Sequence, residues 1–173
     1  MPMALVRQVE VLPVESFRSG TAQFFAPQTC DQTMVVELGA EQVEDLFVHH
    51  FQTDQLMVLQ GQFVLVVLEN RRYRYLPLSD PKREVVRIPP GIPHGAVNLS
   101  GEPCLLVNAV IRHGEPCDRD YRPLQPPLPY DWAAIQQALQ SLRSPRQPQP
   151  LPRQRNRDQG TSGHLAQSGA SHS

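Results

Sequence analysis

The sequence predicts an all-β fold, a small sandwich or barrel, on three observations. Between residues 33 and 112, eight short runs rich in β-branched residues follow one another: TMVVEL, EDLFVHH, QLMVL, FVLVVLE, RYRYLPL, REVVRI, HGAVNL and CLLVNAVI. Turn-forming residues punctuate this span, among them Gly39, Gly61, Asn70, Asp80, Gly91 and Gly101. No segment of it keeps apolar residues at the 3.6-residue helical period over four turns. Strands at this spacing hide their edges by closing on one another. The 173 residues suit one domain with some tail.

Residues 1–32 read as strands flanking the barrel, ALVRQVEVL and then TAQFF, divided by a Pro/Ser/Gly stretch. The barrel is expected over 33–123 and a proline-rich linker with a helix over 124–143. In DWAAIQQALQSLR, Asp131 can cap the helix, and Trp132, Ile135, Leu139 and Leu142 form one stripe. That stripe is expected to lie on the outside of the barrel or on a partner subunit. Half of the 18 prolines fall between Pro116 and Pro152, where packed structure should thin out. Residues 144–173 are too polar to offset their ordering entropy and are expected to be disordered. The four arginines there outweigh Asp158 and suit a solubilising tail; His164 and His172 belong to it.

A net charge of −1 gives no reason to expect nucleic acid or a membrane as partner. Cys30, Cys104 and Cys117 show no CxxC spacing, and Cys104 reads as a buried thiol. The N-terminus lacks a signal-peptide apolar region and no run reaches eighteen apolar residues, so a cytoplasmic protein is expected.

Two segments carry the chemistry. In VHHFQTDQLMVLQG (48–61), strand alternation puts Val48 and His50 on one face and His49 on the other, with Asp54 four residues after His50. In IPPGIPHGAVNLS (88–100), Pro89 and Gly91 make a stiff turn that fixes His94, with Asn98 four residues on. The two segments resemble the cupin superfamily motifs G-x5-H-x-H-x3,4-E-x6-G and G-x5-P-x-G-x2-H-x3-N. Pro89, Gly91, His94 and Asn98 match the second, with Arg83 in place of its leading glycine. His50, Asp54 and Gly61 match the first in part; Val48 stands at its first histidine and Asp54 at its glutamate. The resemblance spans about residues 40–112 and implies a cupin double-stranded β-helix, a jelly roll with His50 and His94 inside.

PPGIPHGAVNLS also resembles the P-x-G-[FI]-x-H-G segment of the metal-free dTDP-4-dehydrorhamnose 3,5-epimerases, and HFQ at 50–52 the run around their catalytic base. RDYRP at 119–123 is similar to an element of sugar-nucleotide ketoisomerases. This implies an isomerase acting on a keto sugar of a nucleotide, with His50 as base, Asp54 orienting it and His94 at the carbonyl. A histidine suits proton removal beside a ketone. Gln52, Arg72, Arg74, Tyr73 and Tyr75 are candidate substrate contacts; one of the two alternating pairs in RRYRY should face inward. Two alternatives stay open: a metal-dependent cupin such as a dioxygenase, and a non-catalytic ligand-binding cupin. In the first, His50, Asp54 and His94, or His49 if a bulge turned it, would hold iron, manganese, nickel or zinc. His49 is expected to face outward, as a surface or interface residue. A homodimer is expected.

Overall fold

The N-terminal part contributes strand β1 (Glu10–Pro13) and a hairpin of β2 (Glu15–Phe17) and β3 (Ala22–Phe24). The eight expected runs all form strands. They are β4 (Gln32–Leu38), β5 (Leu46–His49), β6 (Gln52–Gln60), β7 (Gln62–Glu69), β8 (Arg72–Ser79), β9 (Glu84–Ile88), β10 (His94–Val97) and β11 (Cys104–Arg112). RDYRP supplies a further strand, β12 (Tyr121–Leu124), and helix α1 (Trp132–Arg143) follows. This computed structural model describes residues 8–13, 15–17, 22–24, 29–82, 84–115 and 117–143. The expected tail at 144–173 and the start of the first expected strand lie outside the described residues.

Ten strands make two antiparallel sheets, ordered β1-β9-β6-β11-β4 and β12-β5-β10-β7-β8. Their facing sides enclose a core that includes Leu38, Leu56, Val58, Phe63, Leu65, Val86 and Leu106. This is the jelly roll that the cupin resemblance implies. The unbroken apolar run of β7 has a simple cause, since both of its faces are covered. Phe63, Leu65 and Val67 point between the sheets, while Val64 and Val66 point the other way, toward Ile135 and Leu139 of α1. The helix stripe therefore packs on the outside of the second sheet. Asp131 caps it as expected, its carboxylate accepting the Ala134 N–H at 3.0 Å, though Trp132 stays 46% exposed. Among the described residues no helix is long and apolar enough to cross a membrane.

Gly61 turns β6 into β7 at φ +87°, and a Cβ there would sit 2.8 Å from the Pro103 carbonyl oxygen. Both the left-handed backbone and the backbone neighbour exclude a side chain. Gly61→Ala is expected to lower unfolding free energy by about 1–3 kcal/mol, read as a lower midpoint in chemical denaturation.

Candidate active site

Between the sheets lies a cavity of about 190 Å³. Its walls are largely apolar, from Met34 and Val36 of β4 to Phe63 and Leu65 of β7, and His49, Asp54, His94 and Asn108 project into it. Tyr121, 54% exposed, also lines it. Concave, apolar space with a few converging polar groups is the usual form of a small-molecule site.

His49 ends β5, and its backbone is pinned on both sides. The Gly91 N–H donates to the His49 carbonyl at 2.7 Å, so the stiff Pro-Gly turn grips this strand end. Just beyond, Asp120 Oδ1 accepts the N–H groups of His50 at 2.7 Å and Phe51 at 2.6 Å. The other oxygen of Asp120 faces His49 Nδ1 at 3.5 Å. That nitrogen is buried and has no hydrogen-bond partner among the described residues. The carboxylate charge beside Nδ1 favours a proton on that nitrogen, and Nε2 lies 4.0 Å from Asp54 Oδ2, which lines the cavity.

His94 opens β10, beside β5, and its ring centroid lies 6.1 Å from that of His49. Its Nδ1 is 2.9 Å from the Ile92 carbonyl oxygen, which can only accept, so Nδ1 carries the hydrogen. Nε2 then faces Asp54 Oδ2 at 3.5 Å. Asp54 comes from β6 on the opposite sheet. Its Oδ1 accepts from Gln52 Nε2 at 2.6 Å and Asn108 Nδ2 at 2.8 Å, which aims Oδ2 at the two imidazoles.

Burial pushes the His94 imidazole below its ordinary 6.5, against the opposing pull of Asp54 and of the Ile92 carbonyl. The unfolded chain therefore takes up a proton on this residue more readily than the folded one. Stability from this source is complete above about pH 6.5 and is lost as pH falls below it toward the folded value. Thermal midpoints are expected to drop between about pH 7 and pH 5, with a shallower slope in His94→Gln.

Several sequence expectations need correction in placement. His50, expected inside, is exposed, whereas His49, expected outside, lines the cavity. The alternation itself holds, but Leu46 is needed by the helix-side core, which leaves Phe47 and His49 for the inner face. The bend at His50 and Phe51 then resets the phase, so that the even residues Asp54 and Leu56 of β6 point inward. The proposed ligand set of His50, Asp54 and His94 consequently does not assemble. Among the described residues no group of three or more His, Cys, Asp or Glu is placed to hold a metal ion.

The RRYRY pairs do not reach the cavity either. Tyr73 and Tyr75 face the α1 layer, where Tyr73 donates to the Leu128 carbonyl at 2.9 Å and Tyr75 accepts the Asp131 N–H at 2.8 Å. Arg72 and Arg74 share the inner-face parity of Leu76 and Leu78, but lie past the core and line a separate polar surface pocket with Glu69. Gln52 is buried beside Asp54 and also accepts from Arg112 Nη1 at 3.0 Å. Asn98, as expected of a turn residue, donates to the Gly39 and Glu102 carbonyls at 2.9 Å each.

Fold and cavity together define a cupin-type jelly roll with histidines and carboxylates facing its interior. Among solved structures it is similar to a dTDP sugar isomerase from Desulfovibrio desulfuricans, at 17% identity and TM-score 0.56, covering 73% of this chain and 87% of that one. A 4-keto-6-deoxy sugar epimerase from the novobiocin biosynthetic cluster of Streptomyces spheroides matches at 17% identity and TM-score 0.59, over 76% and 77% of the two chains. A 3,4-ketoisomerase from Thermoanaerobacterium thermosaccharolyticum, solved with TDP-4-keto-6-deoxyglucose, matches at 12% identity and TM-score 0.55, over 69% and 88%. At these identities the likeness establishes the fold. No protein-family model and no curated protein sequence matches the chain.

Proposed function

We propose that this protein is an isomerase of the epimerase or ketoisomerase kind, which moves a proton beside the ketone of a nucleotide-linked keto sugar, with His49 as the base. The observation that carries the reading is the buried Nδ1 of His49 facing Asp120 while its ring lines an apolar cavity. Asp120 is a positioning residue: its carboxylate, 3.5 Å from Nδ1, draws the ring proton to that nitrogen and leaves Nε2 to accept one. The apolar walls keep water from competing and strengthen each charge interaction inside. At about 190 Å³ the cavity is smaller than the roughly 300–1,000 Å³ of pockets for drug-sized ligands, so only the sugar end would enter. The likeness in fold to enzymes of keto-sugar nucleotides supports this choice of substrate.

Incubation of the full chain with TDP-4-keto-6-deoxyglucose in deuterium oxide tests the reading. Deuterium should enter the sugar at a carbon beside the ketone, seen by proton NMR. A substrate recovered with all of its carbon-bound protons would refute it.

A further inference from the structure

Asp54 is 2% exposed and His94 4%, yet each keeps one acceptor atom that no donor meets among the described residues. Both amide donors to Asp54, from Gln52 and Asn108, go to Oδ1. The groups facing Oδ2 are imidazole nitrogens, His94 Nε2 at 3.5 Å and His49 Nε2 at 4.0 Å. His94 Nδ1 carries its ring hydrogen toward the Ile92 carbonyl, and burial keeps this imidazole below its ordinary 6.5. Near neutral pH the ring is therefore uncharged, and Nε2 offers a lone pair. Two buried acceptors, Asp54 Oδ2 and His94 Nε2, thus point at one corner of the cavity.

The corner also lacks a cation. No lysine or arginine lines the cavity among the described residues, and Arg112, 4.0 Å from Asp120, donates to Gln52 and Gln32. A buried carboxylate without an opposite charge is costly, and a ligand that brings the charge is favoured.

We infer that this corner binds a primary ammonium, and that the substrate is a keto sugar carrying an amino group on the carbon beside its ketone. The inference deepens the proposed function and rests on His49 as the base. An ammonium has donors for both Asp54 Oδ2 and His94 Nε2 and no lone pair to repel them. A hydroxyl has one hydrogen, presents lone pairs to the second acceptor, and leaves Asp54 without an opposite charge. Charge-assisted bonds of about 2.7–2.9 Å set the nitrogen beside His49, whose Nε2 is 4.0 Å from Oδ2. The carbon bonded to that nitrogen then presents its C–H to the base. His49 Nε2 takes the proton as the C–H electrons form an enolate with the neighbouring carbonyl. A proton returned from His49 to the same carbon restores the ketone, and the ammonium keeps its own protons throughout.

Calorimetry on the full chain tests the corner with two sugars that have no ketone, TDP-3-amino-3,6-dideoxyglucose and TDP-6-deoxyglucose. They differ only in an ammonium against a hydroxyl at C3. Near neutral pH the amino sugar is expected to bind about 10–100-fold more tightly, the worth of a hydrogen bond to a charged group. In Asp54→Asn that preference should disappear, because the asparagine oxygen keeps the bonds from Gln52 and Asn108 while an NH₂ replaces Oδ2. Unchanged binding of TDP-6-deoxyglucose by the variant reports a folded site. Equal or weaker binding of the amino sugar by the wild-type protein overturns the inference, and so does a preference that survives in Asp54→Asn. Failure of both sugars to bind overturns it as well. The hydroxyl sugar enters the same corner more weakly, so deuterium exchange into TDP-4-keto-6-deoxyglucose is still expected. Exchange without an amine preference removes the inference and leaves the base; an amine preference without exchange keeps the ammonium corner and removes the base.

Discussion

Replacing His49 with glutamine is expected to slow proton exchange into a keto sugar by about 10²–10⁴-fold, while the same change at His50 leaves it unaltered. Glutamine approximates the reach of the imidazole, and its NH₂ can still donate toward Asp120. It has no group that takes up a proton near neutral pH, so the base is lost with little change in packing. His50 is exposed, and the contact it makes with Asp120 is through its backbone N–H, which any residue but proline supplies. The paired variants therefore separate two adjacent histidines that sequence spacing cannot tell apart. Solvent-deuterium uptake measured side by side in the two proteins decides between them. Exchange retained in His49→Gln and lost in His50→Gln would restore the assignment that motif spacing suggests.

The fold was legible because period and punctuation agree along the chain. Most runs between 33 and 112 are bounded by a residue suited to a turn, EDLFVHH between Val43 and Phe51 being an exception, and Gly61 and Gly91 occupy the left-handed conformations that such turns require. The helix was legible from its Asp131 cap and one apolar stripe. The site was legible only in part. Asp54 and His94 were found because the stiff turn and the motif spacing mark them, and both line the cavity. His49 was misplaced because motif matching assumes one unbroken phase, whereas the corner at His50 and Phe51 shifts it between β5 and β6. Tyr73 and Tyr75 were ambiguous for a related reason: alternation says that one pair of RRYRY shares a face, but not that a helix covers the other. Asp120 could not be found by spacing at all. It lies about seventy residues after the backbone it holds, and only the pairing of β12 with β5 brings it there. The signal for it was the RDYRP segment, which resembled an element of the ketoisomerases without saying what its aspartate does.

Asp120→Asn is expected to lower exchange by about 10²–10⁴-fold with the fold preserved, the second large effect at this site. The asparagine oxygen can keep both backbone bonds, to the N–H groups of His50 and Phe51. Its NH₂ then replaces Oδ2 opposite His49 Nδ1 and is a donor where an acceptor stood. Nδ1 must turn acceptor, so the hydrogen moves to Nε2, and the nitrogen facing the cavity can no longer accept a proton. Nitrogen-15 NMR of the imidazole should show this tautomer change directly, a readout that a purely structural role for Asp120 would not move. Asp120→Ala should lower exchange as well, and it should also strand two N–H groups, at about 1–3 kcal/mol of stability for each one left buried. An asparagine variant with wild-type exchange and an unchanged tautomer would show that Asp120 holds only the corner of the chain.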